Sequence, residues 1–204
     1  MRSVALVLAI ALASTTARAD GFYFTESVGV SLPRGDREPY VIQPMKVRLA
    51  VGARWRWLAV EPWMSADMQF DREGAFKGLI GGDPPEGTSD LSTYGVDAKL
   101  VGQLDKHLSE YVRGGPSIAS SNGALAGYAG YGMGLSSGVS ISGRVRALGF
   151  LWAPLFFVNR GPFITGSLYM DQGFDFYRLT MPGAPAIDGR VGHVSIGFTL
   201  GSDF

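Results

Sequence analysis

The chain has 204 residues, no cysteine, and eighteen Lys and Arg balanced against eighteen Asp and Glu. Balanced charge leaves no basic patch of the kind nucleic acid demands. Missing thiols exclude both a disulfide framework and a thiolate metal site.

The N-terminus reads as a secretory signal peptide. Arg2 supplies the positive start, Val4 to Ala13 is an apolar run of ten, and Ala17-Arg18-Ala19 offers small residues ahead of a cut before Asp20. Ten apolar residues are too few to cross a ~30 Å hydrocarbon core as a helix. Residues 1–19 are therefore expected to be removed, and 20–204 to form one domain with sixteen basic and eighteen acidic residues, a net charge of −2. Downstream, no apolar run of about 18 residues escapes polar interruption. A closed barrel, which satisfies its own backbone, is the route into a bilayer that is left.

The first strand, Phe22 to Leu32, sets Phe22, Phe24, Val28, Val30 and Leu32 against Tyr23, Thr25, Ser27, Gly29 and Ser31, with Glu26 alone breaking the apolar face. Pro33 to Pro39 is a polar turn-rich connection. The second strand, about Met45 to Arg54, leads into a tight turn carrying Trp55 and Trp57, aromatic residues suited to a membrane interface. In the third, Val60, Met64, Ala66, Met68 and Phe70 oppose Glu61, Trp63, Ser65, Asp67 and Gln69. Pro62 donates no ladder bond there, which predicts a bulge. Asp71 to Asp90 is the longest polar connection. The fourth strand pairs Tyr94, Val96, Ala98 and Leu100 against Asp97, Lys99 and Gln103. A short turn at His107 leads to the fifth, with Ser109, Tyr111, Arg113 and Gly115 inward. The sixth follows a loop at Ser120 to Ala124 and carries Gly130, Gly132, Gly134, Ser136 and Gly138 inward, glycines that make room for a bulky neighbour such as Tyr111 or Arg113. The seventh, Phe163 to Arg178, and the eighth, Arg190 to Leu200, complete the set.

Leu148 to Phe157 is apolar on both faces and contains Pro154. It reads as an interfacial turn or short helix, because bacterial single-chain barrels use even strand numbers; ten strands is the alternative to eight.

Terminal Phe204, the girdle aromatics and the alternation together resemble small bacterial outer-membrane β-barrel proteins. The resemblance implies an all-β, transmembrane, antiparallel up-and-down barrel located in the outer membrane. It also implies a terminal Phe read by the barrel assembly machinery, with outer-membrane lipid and lipopolysaccharide as surroundings. A single copy, with no nucleic acid and no cofactor, is expected.

Inward parity collects five cations, Lys46, Arg48, Arg54, Lys99 and Arg113, and five anions, Glu61, Asp67, Asp97, Asp171 and Asp175. An eight-stranded barrel is just wide enough for side chains to fill, and unpaired buried charge is costly. These ten are expected to form a salt-bridge network that plugs the lumen.

His193-Val194-Ser195 resembles the His/Ser spacing of outer-membrane lipid A deacylases, in which the His acts as general base for the Ser. In this chain parity places His193 and Ser195 inside, away from acyl chains, and favours a lumen His bonded to a nearby Asp. His107 and His193 have no spacing that brings them together on a metal. Three function classes follow. The leading one is a structural or surface-interaction barrel working through loops 33–42, 71–90, 120–125 and 179–189. The alternatives are a narrow channel or lipophilic-solute transporter, and a lipid A-modifying esterase.

Overall fold

Alternating side chains become eight long strands: β1 (Gly21–Gly35), β2 (Pro44–Trp55), β3 (Leu58–Gln69), β4 (Leu91–Gln103), β5 (Leu108–Ser121), β6 (Ala129–Arg146), β7 (Phe163–Thr180) and β8 (Ile187–Gly201). The computed structural model describes residues 21–41, 44–69, 86–146 and 163–201. The signal segment, Phe204, Leu148–Phe157 and residues 71–85 of the longest connection lie outside the described residues.

Each strand pairs antiparallel with its sequence neighbour, and β1 pairs with β8, so the sheet closes. Because β6 bonds β7 along its whole length, from Ala129–Thr180 to Arg146–Phe163, no further strand enters between them. Eight is the strand number, not ten. The stagger follows from one circuit of the ladder. Thr25 lies opposite Ala50, then Trp63, Gly95, Ser117, Gly132, Tyr177, Gly189 and finally Gly35, ten residues further along β1. Such a stagger tilts strands by about 40°, and closure leaves no edge unpaired.

Pro62 does not produce the expected bulge. Val60 faces Ala53 on one side and Ala98 on the other, and Trp63 faces Ala50 and Gly95, so the register passes Pro62 with no extra residue. The β2–β3 ladder omits the two pairs at Pro62 and Glu61 and then resumes. An inserted residue would have turned the following side chains, Trp63 and Asp67 among them, onto the wrong face; losing one donor is the smaller cost.

Trp55 and Leu58 close a two-residue turn in which Arg56 has φ of 52°. Tight hairpins favour glycine at a first turn residue with positive φ, and the Arg54 side chain steadies this one by donating from Nε to the Arg56 carbonyl at 2.6 Å. Arg56→Gly is expected to raise stability by up to about 1 kcal/mol, read as a shift in the urea midpoint of the refolded barrel.

The outer face is predominantly apolar, with Glu26, Ser137 and Gln172 as polar exceptions. Leu168 is 72% exposed and Ile196 66%, and Val51, Val112, Leu135 and Met170 stand open in the same belt. Phe22 and Trp57 flank it near the chain ends, and Tyr94, Tyr131 and Phe176 near the opposite rim. An apolar band between aromatic girdles over a charged interior is the inside-out arrangement of a transmembrane barrel.

Candidate functional site

Parity sends the charged residues into a lumen where Lys46, Arg48, Lys99 and Arg113 meet Glu61, Asp97, Asp171 and Asp175. Glu61, fully buried, accepts hydrogen bonds from Tyr23 Oη at 2.7 Å and Lys99 Nζ at 2.9 Å. Arg48 Nη2 and Arg113 Nη1 stand 3.5 and 3.6 Å from its other oxygen. Arg48 Nη2 also donates to Asp97 at 2.8 Å. Arg113 donates from Nε to Ser136 Oγ at 2.9 Å and from Nη2 to Asp171. Asp171 further accepts from Tyr111 Oη at 3.2 Å and from Ser195 Oγ. Aromatic faces line the same layer: the Arg48 guanidinium lies 4.6 Å from the Trp63 ring centre and Lys99 Nζ 4.4 Å from that of Tyr111. Three cations and three anions thus form one connected layer.

Two smaller pairs lie outside this layer. Lys46 bonds Asp175, which also stands 3.4 Å from His193 Nδ1. Asp67 meets Arg37 Nη1 at 3.5 Å. Arg37 comes from the connection after β1, not from a strand. It is 1% exposed, and its Nη2 donates to the Ser89 carbonyl at 2.9 Å. In the sequence it falls in a polar turn, where alternation defines no inward side. Arg54 stands apart at the chain-end mouth, lining a small vestibule beside its bond to Arg56. That vestibule is about 40 Å³ and stops against Tyr23, Lys99, Tyr111 and Tyr169. It has room for a few waters.

Bulky residues fit this narrow space because glycine lies across the ladder from them. Tyr23 faces Gly52, Trp63 faces Gly95, Tyr111 faces Gly138, Tyr169 faces Gly197 and Tyr177 faces Gly189. A Cβ on any of these glycines would fall within 2.6 Å of the ring opposite. Each aromatic ring lies flat over its glycine, which packs the lumen and lets the wall curve.

His193 and Ser195 are both buried and point inward, but to different acceptors. Ser195 donates a hydrogen bond to Asp171, and His193 faces Asp175. The hydroxyl is therefore committed to a carboxylate, and neither side chain reaches the lipid. Among the described residues no group of three or more His, Asp or Glu converges as a metal site.

The opposite, loop-bearing end is sealed differently. Leu91, Leu125, Tyr128, Leu179, Ile187 and Val191 form a buried apolar cluster, with Tyr40, Met181 and Ala184 packed on it from the loops. Backbone and side-chain bonds tie the connections into a ring. Ser89 N donates to Tyr40 O at 3.0 Å, Ala124 N to Thr88 O at 2.7 Å, Tyr128 Oη to Pro185 O at 3.3 Å and Asp188 N to the Asp36 side chain at 3.1 Å. The described residues of all four connections at this end are thereby linked.

Neither a protein-family model nor a curated protein sequence matches the chain. Among solved structures, neisserial surface protein A is similar, with a TM-score of 0.56 and 13% identity over 87% of this chain and 95% of that one. The attachment invasion locus protein of Yersinia pestis matches with a TM-score of 0.47 and 12% identity over 89% of this chain and 97% of that one. The outer membrane protein OprG of Pseudomonas aeruginosa matches at 0.42 and 12%, over 90% and 96%. With its closed eight-stranded sheet, apolar belt and charged lumen, the protein has the architecture of the small bacterial outer-membrane barrels.

Proposed function

We propose that the protein is a non-conducting outer-membrane barrel that acts at its loop end, in a structural or surface-interaction role. The observation that carries this reading is the bonded ring of loops above a filled lumen. Interior charges that are paired layer by layer leave little room for a solute path. A rim already held by an apolar cluster loses little conformational entropy on meeting a partner, which is what a binding surface requires. Long loops face outward in barrels of this class, so the rim would stand on the cell surface among lipopolysaccharide. The terminal strand and Phe204 would be the part that the assembly machinery handles.

A deletion strain complemented with the wild-type chain or with Arg34→Ser/Glu38→Ser/Arg178→Ser tests the reading. All three residues are exposed on the rim. Adhesion is expected to fall in the triple variant, while small-solute permeability and lipid A composition match the wild type. Lower permeability in the deletion strain with unchanged adhesion would instead indicate a channel or transporter. Altered lipid A that Ser195→Ala fails to restore would indicate an esterase.

A further inference from the structure

We propose that two copies of the chain pair side by side in the membrane through the β6–β7 face, with Gln172 at the centre of the contact. The lipid-facing parity of β7 runs Leu168, Met170, Gln172, Phe174, Phe176, so one amide interrupts an otherwise apolar series. Its cross-strand neighbour on β6 is Ser137, also outward and exposed. Both fall near the middle of 18-residue strands, between the girdle residues at either rim and so close to the bilayer midplane. Acyl chains at that depth offer no hydrogen-bond partner, and an unsatisfied amide in hydrocarbon is expensive.

A second copy offers the missing partner. Two barrels inserted in the same direction are related by a two-fold axis along the membrane normal, which brings identical residues face to face at equal depth. Gln172 carries both a carbonyl acceptor and an NH2 donor, so two copies of it complete each other with reciprocal N–H···O bonds. Ser137 beside it adds a further donor and acceptor. Polar side chains and small residues are the features that hold membrane-embedded segments together. The surface is also shaped for close approach. Two adjoining grooves of about 620 and 540 Å³ share Val112, Ser137, Gln172 and Val194. Gly192 deepens the second. The opposite wall exposes Val51 and Met64, with Glu26 in the same row as Met64 across Leu49. This pairing departs from the single-copy expectation and is independent of any role of the rim.

The absence of native cysteine allows a direct test. Ser137→Cys and, as the control on the far wall, Met64→Cys are placed singly in the full chain and oxidised in native outer membranes. Ser137→Cys is expected to give a cross-linked species of twice the chain mass, at least tenfold more than Met64→Cys. Adding Gln172→Leu is expected to cut that product about tenfold. A heat-modifiability gel confirms that each variant is folded; Leu at this lipid-facing position suits a folded barrel. Equal cross-linking of Ser137→Cys and Met64→Cys would overturn the proposal. So would an unchanged yield with Gln172→Leu, or a product containing a different protein.

Discussion

Glu61→Ala is expected to destabilise the barrel by about 3–5 kcal/mol, the cost of leaving buried charge without its partner. Glu61 is fully buried and faces Lys99, Arg48 and Arg113 together. Its removal leaves three cations with Asp97 and Asp171 alone, in a space that water reaches only through the narrow vestibule at Lys99. Tyr23 also loses the acceptor for its hydroxyl. By contrast Glu110→Ala, on an exposed strand end, is expected to change stability by less than about 0.5 kcal/mol. Urea unfolding followed by tryptophan fluorescence measures both. A Glu61→Ala shift below about 1 kcal/mol would mean that the lumen is wet enough to screen the charges, and the interior layer would then not be a plug.

The second large effect comes from adding a single methyl group. In Gly52→Ala the new Cβ would stand 2.1 Å from Tyr23 Cζ and 2.5 Å from its hydroxyl. Tyr23 must swing away, and its bond to Glu61 goes with it. Overpacking typically costs about 1–3 kcal/mol, and a lost hydrogen bond to a charged group about 1.5–3 kcal/mol. A combined loss of about 2–4 kcal/mol is expected, part of the strain being relieved by the movement. Gly143→Ala is the matched control, since nothing lies within 4 Å of its Cβ position. It is expected to be neutral or slightly stabilising. Equal unfolding midpoints for the two alanine variants would contradict the flat packing of ring on glycine.

What could be read from the sequence was whatever depends on period two. Alternation alone places Lys46, Arg48, Glu61, Asp97 and Asp171 on one face, and it puts His193 and Ser195 inside. It does not say who pairs with whom, because that depends on the stagger between strands. Asp171 for Ser195 and Asp175 for His193 emerge only from the β7–β8 register. Arg37 was invisible for a different reason: a turn has no parity, and only the fold of the loop carries its guanidinium to Asp67. No bulge forms at Pro62, because an extra residue would flip Trp63 and Asp67, a larger cost than one lost donor. The bonded rim is not legible in the sequence, because half of these links join backbone groups, which every sequence has. Gln172 was present in the apolar parity of β7 all along, and its meaning required the depth of its strand position.

A lumen filled with ion pairs in this way is expected not to conduct. Single-channel recording of the purified, refolded barrel in planar bilayers tests it most directly. No stable steps on the nanosiemens scale are expected over long records of folded protein. Stable steps of that size, present in the wild type and reproducible between preparations, would contradict it.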